Sequence, residues 1–232
     1  MTNSEIANMI DHTILKANAT LEDVEKLCQE AIDNNFASVC INPCWVKAAS
    51  QYLKANKKED YEVKTCTVIG FPLGANTKDV KVFETVNACE NGADEIDMVI
   101  NIGWLKDKKY DEILSEIKSV KRACGDKILK VIIETCLLSR EEKIKMCEIV
   151  SLSGADYIKT STGFSTGGAT REDVEIFAEY KAEHLKIKAA GGISSIEDAI
   201  DFINLGAERL GTSRIVKIVK GKNDEKVSNS SY

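Results

Sequence analysis

The sequence predicts a single α/β domain of the (β/α)8 barrel class, and three observations carry that expectation. Short aliphatic runs alternate with longer amphipathic stretches, the pattern of βα units around a parallel sheet. The phrases Gly92-Ala93-Asp94, Gly154-Ala155-Asp156 and Gly206-Ala207-Glu208 each precede such a run, spaced so that each interval holds two units. The 232 residues divide into eight units of roughly 29 residues, close to the ~250 residues typical of the fold. A doubly wound open sheet is the alternative, but it needs fewer strands or a longer chain.

In chain order the expected strands are IDHTI (10–14), ASVCIN (37–42), VKTCTVIG (63–70), DEIDMVIN (94–101), ILKVIIET (128–135), DYIKTS (156–161), KIKAAG (186–191) and ERLGTS (208–213). Each is rich in β-branched or aliphatic residues and bounded by turn formers. Between them, TLEDVEKLCQEAIDNN (20–35) reads as a helix with Thr20 as N-cap, and SREEKIKMCEIVSLSG (139–154) as one opened by a Ser139/Glu142 capping box. Ser194 and Glu197 suggest a third capping box after the seventh strand. The glycine of each repeated phrase suits a helix C-terminus that turns back into the sheet.

Bulk composition narrows the function. Hydrophobic residues make up 44% of the chain, only Pro43 and Pro72 occur, and no low-complexity stretch divides it. The expected organisation is therefore one barrel over 1–220 and a polar, flexible tail over 221–232. A formal charge of −6 with mixed signs throughout offers no basic stripe for nucleic acid. The opening MTNSEIANMID lacks the basic and apolar regions of a signal peptide, and no apolar run is long enough for a bilayer. A soluble, cytoplasmic protein without nucleic-acid or membrane partners is expected. The eight cysteines form no CxxC pair, so reduced, buried thiols are expected. His12 and His184 sit in no metal-ligand spacing, and the expectation is chemistry without a metal or other cofactor.

Alternate residues of a strand share a face. In EIDMVIN, Ile96, Met98 and Ile100 form an apolar face opposite Glu95, Asp97, Val99 and Asn101; in SVCIN, Ser38, Cys40 and Asn42 oppose Val39 and Ile41. The same rule sets Lys159 opposite Ile158 and Lys188 opposite Ile187. A lone strand-end lysine is most often a solvated rim residue. Here Asp97, Lys159 and Lys188 fall near the C-terminal ends of three strands, the face where barrels of this class build active sites. A neutral lysine amine attacks carbonyls to form a Schiff base, but an unperturbed pKa of ~10.4 keeps it protonated near neutrality. A neighbouring ammonium such as Lys188 and partial desolvation both release the amine, and Asp97 can relay protons. Gly163, Gly191, Gly192, Gly211, Thr212 and Ser213 follow the late strands, where turn N–H groups suit a phosphate.

DHTIL, SVCINP, VIGFPLG, GADEIDMVIN, KVIIET, GADYIKTSTGF and KAAGGI stand in an order that resembles the deoxyribose-phosphate aldolases nearly end to end. That resemblance implies a metal-independent class I aldolase, a lyase interconverting 2-deoxy-D-ribose 5-phosphate with acetaldehyde and D-glyceraldehyde 3-phosphate. It implies Lys159 as the Schiff-base lysine, Lys188 as the second lysine, Asp97 as the proton relay, and a homodimer. Substrate contacts are expected from Asp11, Thr13, Cys40, Asn42, Thr160, Gly163, Gly191, Gly192, Gly211 and Ser213. The alternatives are another Schiff-base sugar-phosphate aldolase or transaldolase, and a phosphosugar-binding barrel without catalysis. On composition alone the tail reads as a disordered end with no role; the alternative is that its terminal Tyr232 reaches a barrel mouth across about 17 to 20 Å of flexible chain and assists proton transfer there.

Overall fold

The computed structural model describes residues 1–212. Ser213, Tyr232 and the tail lie outside the described residues, as does the expected domain boundary at 220. The elements run α1 (Asn3–Ala7), β1 (Ile10–Ile14), α2 (Leu21–Asn34), β2 (Ser38–Ile41), α3 (Val46–Ala55), β3 (Lys64–Ile69), α4 (Lys78–Glu90), β4 (Glu95–Val99), α5 (Ile102–Lys106), α6 (Tyr110–Cys124), β5 (Ile128–Ile132), α7 (Arg140–Ser151), β6 (Tyr157–Lys159), α8 (Arg171–Tyr180), β7 (Lys186–Ala190), α9 (Ile196–Asn204) and β8 (Arg209–Thr212). All eight expected strands form, pair in parallel in sequence order, and close when β8 pairs with β1 through Ile10 and Leu210.

Local chemistry fixes the helix starts. The Thr20 hydroxyl accepts the Asp23 N–H while the Asp23 carboxylate accepts the Thr20 N–H, and Ser139 with Glu142 closes the same reciprocal box. The box expected from Ser194 and Glu197 is displaced by one residue. Ser195 is the N-cap of α9, its hydroxyl accepting the Asp198 N–H at 2.9 Å, and the Asp198 carboxylate accepts both the Ser194 and the Ser195 N–H. Two adjacent serines each have an acid three residues on, so the pattern alone does not choose between them.

The strands sort their side chains as period two requires. Ile96, Met98, Leu129, Val131, Ile158, Ile187 and Leu210 are completely buried and belong to one continuous core with the helices. Each such side chain contributes about 1.5–3 kcal/mol by leaving water. The opposite face, inside the barrel, departs from the usual filling of Val, Ile and Leu. Asp11, Ser38, Glu95, Asp97, Lys130, Lys159 and Lys188 are buried there, with Arg209 at the floor. Among the described residues no helix is long and apolar enough to cross a membrane.

Candidate active site

Register brings the chemistry together. Lys159 on β6 lies directly beside Lys188 on β7, and Asp97 on β4 lies beside Lys130 on β5. The four side chains meet inside the barrel, where one oxygen, Asp97 Oδ2, accepts from Lys159 Nζ and Lys188 Nζ, each at 2.7 Å. Asp97 Oδ1 accepts from Lys130 Nζ at 2.9 Å. Burial alone would raise the Asp97 pKa, but the three ammonium groups hold it well below the usual carboxylate range.

The three lysines differ in what surrounds them. Lys188 also bonds Asp11, and although burial pulls its pKa down, Asp11 and Asp97 together hold it above the ordinary lysine value. Lys130 meets Glu95 at 2.5 Å and Asp11 at 3.5 Å besides Asp97, with the same result. Lys159 contacts Asp97 alone among the described carboxylates. Its side chain is 5% exposed, against 1% for Lys188 and 0% for Lys130, so Lys159 is the least enclosed of the three.

Asp11 is completely buried below the lysines, its oxygens bonded to Lys188, Arg209 and Ser38. Thr13 and Asn42 turn their polar groups to the Asp11 and Lys16 carbonyls. Cys40 joins Leu15, Cys66 and Val68 in an apolar wall against which Phe71 packs. The Thr160 hydroxyl bonds the Ala190 backbone, tying β6 to β7. Gly163, Gly191 and Gly192 have φ of 82°, 78° and 80°, a left-handed conformation that side chains resist. Gly211 is closed in by Ala190 and Lys188, which an added Cβ would meet at 3.0 and 3.4 Å.

Sequence reasoning missed several groups. Lys130 carried the same signal as Lys159, a lysine inside an aliphatic strand, and Glu95 shared the polar face of Asp97 without receiving a role. Glu134, at a φ of 55°, is buried, accepts the Thr162 N–H at 3.1 Å and bonds the Thr162 hydroxyl. That hydroxyl receives the Phe164 N–H at 3.0 Å, so Glu134 shapes the turn holding Gly163. The Ser161 hydroxyl is buried without a protein partner among the described residues. Two donor groups come within ion-sharing distance, Cys40, Cys66 and Asp97, and Asp11, Cys66 and Glu95. Their carboxylates are already engaged by ammonium and guanidinium groups, an arrangement that suits lysine chemistry better than a cation.

Comparison with known proteins places this geometry. Residues 6–213 match the model of the DeoC/LacD family aldolases. The chain is 59% identical over 217 residues to a deoxyribose-phosphate aldolase of Clostridioides difficile (strain 630), covering 94% of this chain and 96% of that one. It is 55% identical over 233 residues to another of Clostridium perfringens (strain 13 / Type A), covering 100% of both. The solved tetrameric deoxyribose phosphate aldolase of Aeropyrum pernix superposes with a TM-score of 0.84 at 32% identity, covering 96% of this chain and 92% of that one. With its barrel and its matched length, the chain belongs to the DeoC/LacD family of aldolases.

Proposed function

We propose that this chain is a deoxyribose-phosphate aldolase that cleaves 2-deoxy-D-ribose 5-phosphate through a Schiff base on Lys159. The observation that carries the residue assignment is the shared Asp97 oxygen, which sets Lys159 beside a second, firmly charged lysine. The neutral Lys159 amine adds to the C1 aldehyde of the open-chain sugar, and loss of water gives the protonated imine.

The imine then acts as the electron sink. The C3 hydroxyl gives up its proton, the C2–C3 bond breaks, and its electron pair forms the C1–C2 double bond of an enamine. C3 leaves as the aldehyde carbon of glyceraldehyde 3-phosphate. A proton returned to C2 regenerates an imine, and water releases acetaldehyde from Lys159. Lys188 and Asp97 are the charged groups adjacent to that nitrogen and hold the protons in transit. The Ser161 hydroxyl is open to a sugar oxygen.

The phosphate end is assigned to the turns of Gly163, Gly191 and Gly192. They converge because Gly168 packs so closely on Gly191 that an added Cβ would lie 2.5 Å from its carbonyl carbon. Ala169 N–H also bonds the Ala190 and Gly191 carbonyls. Backbone N–H groups in such turns recognise a dianion without a dedicated side chain. Incubation with 2-deoxyribose 5-phosphate in EDTA tests the reading. Release of acetaldehyde and glyceraldehyde 3-phosphate in equal amounts, unaffected by the chelator, is expected; cleavage that EDTA abolishes would overturn it.

A further inference from the structure

The buried charges of the barrel form a closed ring. Arg209 Nη1 lies 2.7 Å from Asp11 and 2.9 Å from Glu95. Asp11 bonds Lys188, Lys188 bonds Asp97, Asp97 bonds Lys130, and Lys130 returns to Glu95. Three anions and three cations alternate around this ring, so it is balanced by itself. Lys159 hangs from Asp97 as a fourth cation.

We propose that Arg209 and Glu95, the floor of this ring, act as positioning residues that set the charge balance against which Lys159 gives up its proton. This rests on the reading of Lys159 as the Schiff-base nucleophile. Burying an unpaired charge costs far more than burying a paired one. In the balanced ring, deprotonated Lys159 leaves every carboxylate with its counter-ions, whereas protonated Lys159 adds a surplus positive charge. Remove the Arg209 charge and Lys159 becomes the third cation that three carboxylates require. Remove the Glu95 charge and the surplus grows.

Other titratable groups face this network and are the same in every variant below. From β2 and β3 come Cys40 and Cys66; burial raises the Cys66 thiol, whereas the hydrogen bond between the two lowers the Cys40 thiol. Tyr157 on β6 lies under Arg209 at 5.5 Å and under the exposed rim residue Lys186 at 5.8 Å. Tyr61, before β3, is raised chiefly by burial and so is neutral near neutrality. Glu95 and Arg209 are themselves well enclosed, with side chains 2% and 11% exposed, so solvent does not screen their exchange of charge with the ring.

The test is trapping of acetaldehyde with cyanoborohydride, with the adduct at Lys159 quantified by mass spectrometry from about pH 5 to about pH 10, spanning the range over which a perturbed lysine titrates. Arg209→Met moves the midpoint upward by about one unit, the effect of a unit charge at roughly 10 Å and an effective dielectric of about 20. Glu95→Gln moves it downward by a similar amount. Arg209→Lys keeps the wild-type midpoint, and the double variant Glu95→Gln/Arg209→Met returns toward it. Loosened structure would instead lower the yield at every pH with the midpoint unmoved, and that result overturns the proposal. Should Arg209→Met fold poorly, Glu95→Gln decides alone: a lowered midpoint supports the ring, an unmoved or raised one contradicts it. If the wild-type protein forms no adduct at Lys159 at any pH, the aldolase reading itself fails and this proposal with it.

Discussion

Lys81 on α4 and Lys188 inside the barrel are both enclosed by protein, yet their surroundings drive the two ammonium groups in opposite directions. Lys81 lies 2.9 Å from Glu116 on α6 and donates to the Val99 carbonyl, at 2.9 Å. Burial lowers its pKa against the pull of Glu116 and, more weakly, of Glu84, and burial likewise raises Glu116. Lys188 suffers the same burial but meets two carboxylates, and they prevail. Two carboxylates in direct contact outweigh the burial of Lys188, where one in contact does not outweigh that of Lys81. In the helical layer one lysine is matched to one acid and serves the packing of α4 against α6. In the barrel the cations outnumber the acids by one, and of the three lysines the one with a single carboxylate partner is the least enclosed.

The largest expected effect separates these roles most sharply. Lys159→Met should lower aldol cleavage by at least about 10⁴-fold, since the nucleophile cannot be replaced by its neighbours. Its circular dichroism should match wild type. Cleavage that survives would break the contrast by showing that any barrel lysine suffices.

Lys81→Met inverts that pattern. It strands Glu116 as an uncompensated buried acid and should destabilise the fold by about 3–5 kcal/mol in urea titrations, with the pH–rate profile of the remaining folded enzyme unchanged. The double change Lys81→Met/Glu116→Leu should recover most of that loss. A moved pH–rate profile would tie Lys81 to the active site and erase the distinction.

Acid should attack the barrel network from its carboxylates. Asp11 and Asp97 are held below their unfolded values, so their contribution to stability is present above the ordinary carboxylate pKa of about 4 and is lost as pH falls below it. Unfolding free energies from urea titrations measured downward from neutrality should stay level until about pH 4 and then fall, by a few kcal/mol overall. A decline that begins near pH 6 would assign the acid sensitivity to other groups.

The smallest effect concerns the support of the phosphate turn. Glu134→Ala releases the Thr162 N–H and hydroxyl and should raise KM for the phosphorylated sugar by about 10-fold, with little change in kcat. Trapping of acetaldehyde, which carries no phosphate, should be unchanged. Equal losses with both compounds would mean that Glu134 supports the lysines instead.

Much of this was legible in the sequence because the barrel repeats one simple rule eight times. Period two placed Asp97, Lys159 and Lys188 on one face, and the short late strands put the lysines near the active end. Lys130 obeys the same rule, but it stands third in the eight-residue run ILKVIIET, away from the C-terminal end where a site is expected. Arg209 was not readable: at the start of its strand, an inward guanidinium and a solvated rim residue have the same local sequence. Glu134 adopts a backbone conformation that glycine normally occupies, a consequence of tertiary contacts with Thr162 that no local pattern encodes. Ser194 against Ser195 shows the ordinary limit of capping signals, a choice settled by which serine the Asp198 carboxylate turns back toward.

The most direct measurement is to incubate the wild-type protein with 2-deoxyribose 5-phosphate, reduce with borohydride, and map the modified lysine by peptide mass spectrometry. The charge count predicts one adduct per chain, on Lys159, with Lys130 and Lys188 unmodified because each is held by more than one carboxylate. An adduct on Lys188 or Lys130 would contradict the account, since the amine released would then be one that the buried carboxylates hold most firmly as a cation.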